Sequence, residues 1–204
     1  MASQPTRVVD AHVHLWDPAR LPYPWLDGLP RINARHGLAA FDAARAEIDV
    51  EAMVFVECTG SMDDAASRKE VEWVQEQARA DTRLRGIVAH ASVEQGEAAR
   101  PHLEWLAAQP LVKGVRRLIQ QEPDPAFCTQ PAFVEGVRLL AGFGLTFDLC
   151  IYHHQLPGAI ELVRACPEVS FVLDHIGKPP IREGRLDPWR DHLRAMAALP
   201  NVVC

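Results

Sequence analysis

The stretch Val8 to Leu15 (VVDAHVHL) alternates apolar residues with Asp10, His12 and His14, and it predicts the first strand of the fold. Successive side chains of a strand point to opposite faces, so these three polar side chains share one face. Residues two apart lie roughly 6.5–7 Å from each other along a strand, which lets two imidazoles converge on one metal ion or substrate oxygen. The alternative is a pair of hydrogen-bonded histidines in a polar lining. We favour the functional interpretation, because a parallel strand covered by helices offers polar side chains few other places to point.

Outward from this strand, apolar runs alternate with amphipathic stretches. Further strands are predicted at residues 52–58, 86–92, 112–119, 145–152, 169–175 and 201–204. Helices are predicted at residues 64–80, 96–109, 131–143, 156–166 and 188–199. Such a β-α series indicates a parallel sheet covered by helices.

Polar residues stand at the carboxyl ends of six successive predicted strands: His14, Glu57, His90, Arg116, Tyr152 and His175. A TIM-like (β/α)8 barrel gathers all such ends around one mouth, whereas a doubly wound open sheet uses mainly its switch point. No Gly-x-Gly-x-x-Gly follows the first strand. We therefore predict an α/β fold of the TIM-like barrel class.

The seventh predicted strand begins near Asn201, and Cys204 is the last residue. Barrels of this class typically have about 250 residues. We expect one domain over residues 1–204, a barrel truncated after the start of its seventh strand and incomplete at its C-terminus. An open sheet edge would be covered by another chain and would favour a homo-oligomer.

Composition narrows the choice of partners. The net charge of −6 argues against nucleic acid or an anionic membrane as a partner. No apolar run approaches the roughly 20 residues of a membrane helix, and the first residues lack the apolar segment of a secretory signal. Five scattered cysteines favour reduced core thiols. We expect a cytoplasmic protein acting on a small molecule.

Four sequence blocks resemble the amidohydrolase superfamily, and more closely its branch of L-fuconolactonases and 2-pyrone-4,6-dicarboxylate lactonases. They are Asp10–His14 with the following Leu-Trp-Asp-Pro and Tyr-Pro-Trp-Leu, residues 112–117 (VKGVRR), residues 146–149 (TFDL) and residues 173–179 (LDHIGKP). The blocks occur in the expected order over nearly the whole chain.

The resemblance implies a hydrolase that opens a sugar-acid or related lactone by water attack on the ester carbonyl. His12, His14 and His175 would surround and polarise that carbonyl. The family's general base is an aspartate after the eighth strand, in a Gly-Ser-Asp-Trp-Pro type block that these 204 residues lack. Hydrolysis needs a base for water, so we expect little lactonase activity from this chain alone.

Arg116 is the favoured substrate-orienting cation, because a guanidinium at the barrel mouth suits a carboxylate, a hydroxyl or an oxyanion. Arg117 is the alternative within the same block. A permanent cation in the fourth strand cannot bridge two metal ions, so a binuclear site is not expected. No cofactor is required by the resemblance, although a single zinc held by His12, His14 and His175 remains open.

Further substrate-binding candidates are Tyr152, His154, Glu57 and Trp25. Tyr152 shares strand parity with Asp148, which we interpret as either a pore residue or a buried structural acid. Asp174 is interpreted as a structural partner beside His175. His36, His102 and His192 are predicted at the surface.

Two other functions stay open at this stage. One is a mononuclear zinc-dependent hydrolase or decarboxylase of a neighbouring branch that shares the first strand. The other is a non-catalytic truncated barrel, supported only by the early end of the chain.

Overall fold

Parallel strands separated by helices build this chain, and the computed structural model describes them in residues 7–59 and 63–204. The chain divides into two units, Met1–Ala89 and His90–Cys204. Residues 1–6, where we predict no secretory signal, lie outside the described part. The prediction of a single domain over residues 1–204 is not tested by this division and stays a prediction.

Within residues 7–59 and 63–90, the first unit and its border contain three parallel strands and two α-helices. The strands are β1 (Arg7–Val13), β2 (Asp49–Val56) and β3 (Leu84–His90), whose last residue begins the second unit. The helices are α1 (Leu38–Ala44) and α2 (Asp64–Ala80), and Pro24–Leu26 forms a short 3-10 turn. β2 pairs in parallel with both β1 and β3. Met53, Phe55 and Val56 of β2 are fully buried and form the centre of this unit's core.

The second unit contains four parallel strands in chain order, β4 (Val112–Arg116), β5 (Thr146–Leu149), β6 (Phe171–Leu173) and β7 (Val202–Val203). Its α-helices are α3 (Arg100–Ala107), α4 (Pro131–Phe143), α5 (Leu156–Ala165) and α6 (Trp189–Ala197). Short 3-10 turns lie at Val93–Ala99, Phe127–Thr129, His153–Gln155, Asp174–Gly177 and Ile181–Glu183. Phe133, Phe147 and Phe171 pack edge to face with centroids 5.9 and 6.0 Å apart, which joins α4 to the sheet.

Each predicted strand overlaps a strand of the structure, and α2 and α4 have the predicted bounds. The Asp63 carboxylate accepts from the Ala66 amide at the start of α2, and Gly144 ends α4 with φ 66°. The first turn of the predicted helix 96–109 instead belongs to a 3-10 segment, in which Gly96 has φ 61°.

The prediction of His102 at the surface is wrong. The side chain is buried, and its Nε2 lies 3.0 Å from the His90 carbonyl oxygen. His102 shares the buried stripe of α3 with Leu103 and Leu106, so helical periodicity overrides its polarity.

Within the described residues, no helix combines the length and the apolar character that crossing a bilayer requires.

Candidate active site

The carboxyl end of β1 brings two histidines together. His12 lies on β1 and His14 directly follows it, and their Nε2 atoms are 3.2 Å apart. His14 Nδ1 lies 2.8 Å from the carbonyl oxygen of Val56 at the end of β2. A carbonyl can only accept, so Nδ1 carries the proton and donates. The Nε2 lone pair of neutral His14 therefore points toward His12, where it can accept a proton or bind a cation.

Trp25 and Cys58 lie beside this pair. The Trp25 indole N–H donates to the Cys58 carbonyl at 2.7 Å, and Trp25 meets Trp16 edge to face at 5.5 Å. The Cys58 Sγ lies 3.5 Å from His14 Nδ1. We interpret Cys58 from sequence as a core thiol only. Its place two residues after the end of β2 is the signal that could have linked it to the histidines.

Glu57, the predicted mouth residue of β2, is fully buried and directly follows that strand. One of its carboxylate oxygens accepts from the Thr59 hydroxyl at 3.3 Å. Its predicted contact with substrate stays a prediction.

In the second unit, Arg116 ends β4 and forms a buried ion pair. Its guanidinium donates to an Asp174 carboxylate oxygen at 3.1 Å, and both side chains are at most 5% exposed. Sequence parity does not reveal this pair, because its members are 58 residues apart. The competing residue Arg117 is instead bound by Glu94 and Glu122 at 2.9 and 2.7 Å.

Asp148 is the neighbour of Arg116 in the β4–β5 register. Burial raises the pKa of its carboxyl to about 7, the nearby Asp174 charge adds to the rise, and Arg116 opposes it. One cation thus faces two buried carboxyl groups, and the excess negative charge is relieved when Asp148 holds a proton.

His175 stands in a left-handed turn, which we define as residues 175–178. The φ angles are 52° at His175, 49° at Ile176, 68° at Gly177 and 46° at Lys178. For residues with a Cβ atom this conformation costs about 1–2 kcal/mol each. The turn is separated from β6 by Asp174 alone, which is buried, whereas His175 is exposed.

Tyr152 and His154 lie after β5, where their rings stack with centroids 6.1 Å apart. The Lys178 ammonium stands 5.4 Å from the centre of the Tyr152 ring and 3.2 Å from Cys150 Sγ. The neighbouring His153 lines a cavity of about 230 Å³ with Pro180, Glu183, Arg185, Asp187, Pro188 and Trp189.

The structure thus brings together two pairs of predicted site residues. His12 contacts His14 in the first unit, and Tyr152 contacts His154 in the second. Arg116 meets Asp174, the predicted structural partner. The catalytic and binding roles assigned to these residues stay predictions.

The amidohydrolase family model matches residues 9–204. The chain belongs to the amidohydrolase family. This confirms the resemblance stated from the sequence, and the TIM-like α/β barrel is the fold of its solved neighbours.

This amidohydrolase is 30% identical to an L-fucono-1,5-lactonase of Burkholderia multivorans over 96% of the chain and 66% of that protein. It is 25% identical to an L-rhamnono-gamma-lactonase of Scheffersomyces stipitis, over 85% of the chain and 61% of that relative. A crystal structure of an amidohydrolase from B. multivorans with bound zinc superposes with a TM-score of 0.79 at 28% identity, covering 96% of this chain and 68% of that one. The chain thus spans less than two thirds of the length of each of these two curated relatives.

The histidine pair of this amidohydrolase fits a zinc ion. Two imidazole nitrogens bound to one tetrahedral Zn²⁺ at about 2.0–2.1 Å lie about 3.3–3.4 Å from each other. The observed separation of the two Nε2 atoms is 3.2 Å. The Nδ1 contact of His14 with a backbone carbonyl also fixes the tautomer that a metal ligand needs.

Proposed function

We propose that the protein is a hydrolase that opens a sugar-acid lactone by water attack on the ester carbonyl. Membership of the amidohydrolase family supports this, as do relatives named L-fucono-1,5-lactonase and L-rhamnono-gamma-lactonase. The observation that carries the proposal is the convergence of the His12 and His14 Nε2 atoms, 3.2 Å apart at the end of β1.

Negative charge develops on the carbonyl oxygen during lactone hydrolysis. Attack on a lactone carbonyl turns its oxygen into an oxyanion, which donors fixed in advance stabilise better than water does. His14 is fixed by its Nδ1 contact with Val56, so its Nε2 is held in one direction and donates to the oxyanion when this nitrogen also holds a proton. We propose that His12, His14 and His175 polarise the carbonyl and that Arg116 orients the substrate, as the sequence resemblance implies.

The test uses protein expressed from its complete reading frame and assayed with L-fucono-1,5-lactone and L-rhamnono-1,4-lactone by acid release. We expect hydrolysis above the spontaneous rate, and losses of at least about two orders of magnitude in kcat for His12→Ala and His175→Ala. His192→Gln on α6 is the matched control and should keep the wild-type rate. Near-normal turnover by both alanine variants would reject these roles, and no turnover of any sugar lactone by the wild type would reject the function.

As a second candidate, we propose a zinc-dependent form of the same hydrolase, in which His12 and His14 hold one divalent cation. The separation of their Nε2 atoms supports it, as does the zinc bound by the B. multivorans amidohydrolase. Bound zinc would supply Lewis-acid polarisation of the carbonyl.

Zinc titration by calorimetry on chelator-treated protein distinguishes the two forms. We expect stoichiometric binding that His14→Gln weakens at least about tenfold, since loss of even a residue that only supports a ligand typically costs 10–100-fold in metal affinity. Full activity of metal-free protein would leave the metal-independent form as the correct one.

We also propose a small-molecule substrate, with neither nucleic acid nor a membrane as partner, which the net charge of −6 supports. The cytoplasmic location and the homo-oligomer stay predictions.

A further inference from the structure

The left-handed turn is an unusual way to present a side chain. Four consecutive residues have φ between 46° and 68°, and only Gly177 adopts such angles without steric cost. A β-branched residue such as Ile176 at φ 49° is an outlier that persists only when surrounding contacts hold it. The contacts that hold this turn therefore control where His175 points.

Packing of the Ile176 side chain does not hold the turn, because that side chain is 43% exposed. The turn is instead fastened through its backbone carbonyls. The Trp189 indole N–H, from the first residue of α6, donates to the Ile176 carbonyl at 2.8 Å. His153 Nδ1 lies 3.3 Å from the Lys178 carbonyl. Before the turn, Arg116 holds the Asp174 carboxylate.

The Trp189 contact is the shortest of these three, and it reaches the peptide group that joins Ile176 to Gly177. The bond fixes the orientation of the Ile176–Gly177 peptide group, and with it the backbone conformation of the residue that follows His175.

We propose that Trp189 is a positioning residue, whose indole N–H locks the left-handed turn and thereby sets the direction of the His175 imidazole. This inference rests on the proposed function, which gives His175 its catalytic role. Trp189 itself touches the turn and not the reacting atoms.

The test is Trp189→Phe, which keeps an aromatic ring at the start of α6 and removes the donor. The reporter is the Lys178 amide, which donates to the His175 carbonyl at 2.9 Å within the turn. We expect its hydrogen exchange, followed by NMR, to accelerate about tenfold while the free energy of global unfolding stays unchanged. We expect kcat for lactone hydrolysis to fall at least about tenfold with KM within about twofold, because the defect concerns the transition state rather than binding.

Trp105→Phe on α3 is the matched control, since it removes an indole N–H elsewhere in the same unit. It should change neither the exchange rate of the Lys178 amide nor kcat. Should Trp189→Phe fold poorly, β-(3-benzothienyl)alanine at position 189 replaces only the N–H by sulfur and keeps the shape of the ring. Unchanged Lys178 exchange in either substitution would overturn the proposal, and so would accelerated exchange with unchanged kcat.

A wild-type protein that hydrolyses no sugar lactone contradicts the proposed function. Lys178 exchange in the same sample still decides whether Trp189 locks the turn.

Discussion

Asp148, Arg116 and Asp174 form a buried group with one positive and two potentially negative side chains. Arg116 pairs with Asp174. Burial and the Asp174 charge raise the pKa of Asp148 to about 7. A carboxyl group whose pKa is higher in the folded than in the unfolded protein stabilises the fold at low pH. That contribution is complete below its ordinary pKa of 3.8 and is lost as the pH rises through about 7.

Asp148→Asn should remove this pH dependence. The difference between pKa values of 3.8 and about 7 corresponds to about 4 kcal/mol. From about pH 4 to pH 8, the free energy of unfolding of the variant, relative to that of the wild type, should therefore increase by up to this amount. Urea titrations at both pH values measure it. Asp191→Asn, at an exposed position of α6, should show no such gain. Parallel pH profiles for wild type and Asp148→Asn would show that Asp148 does not titrate in this range.

Arg116→Met tests the ion pair itself. It removes the guanidinium from this buried ion pair, and the loss of one partner of a buried pair typically costs about 3–5 kcal/mol of unfolding free energy. Arg194→Met removes an exposed pair with Asp191, 75% and 73% exposed, and should cost less than about 1 kcal/mol. Chemical denaturation near pH 7 compares the two variants. Equal losses would mean that the buried pair contributes no more than a surface one.

At the scale of elements, sequence periodicity predicts the strands and fails at their ends. The predicted fourth strand extends to Ile119, whereas β4 ends at Arg116. Ile119 is fully buried, but its amide donates to the Cys150 carbonyl outside the ladder. Apolar character reports burial and not strand pairing, so the pattern overruns the element.

The left-handed turn could not be predicted from sequence for a related reason. Among residues 175–178 only Gly177 belongs to a type that favours positive φ. The carbonyls of Ile176 and Lys178 contact Trp189 and His153, which lie 13 and 25 residues away in the sequence. The pairing of His12 with His14, in contrast, is predicted from the strand rule that residues i and i+2 share a face, although His14 directly follows the end of β1.

Two glycines of helix α4 allow the effect of close packing to be compared with the effect of backbone entropy. A Cβ atom on Gly136 would lie 2.0 Å from the Val93 carbonyl oxygen, whereas one on Gly142 meets nothing within 4 Å. Gly136→Ala should therefore destabilise the protein by about 1–3 kcal/mol despite the better helix propensity of alanine. Gly142→Ala should stabilise it by about 0.5–1 kcal/mol. Thermal unfolding of both variants checks this, and a stabilised Gly136→Ala would contradict the close approach of α4 to the Val93–Ala99 segment.

At the scale of the whole molecule, the family and the barrel class agree with the sequence, while the single domain remains to be tested. The sequence predicts one domain because no linker interrupts the β-α pattern. Each unit has its own fully buried aromatic residue on a central strand, Phe55 on β2 and Phe147 on β5. Replacing such a side chain by alanine typically costs about 3–5 kcal/mol.

Substitutions at Phe55 and Phe147 test whether the two units unfold cooperatively. If residues 1–204 form one cooperative domain, Phe55→Ala and Phe147→Ala should each lower the urea midpoint of every tryptophan by a similar amount. Trp16, Trp25 and Trp73 report on the first unit, and Trp105 and Trp189 on the second. Fluorine NMR of protein labelled with 5-fluorotryptophan follows the five sites separately during the titration. A Phe55→Ala variant in which only the first three resonances shift their midpoint would contradict the single domain, because the free energy lost in one unit would then not reach the other.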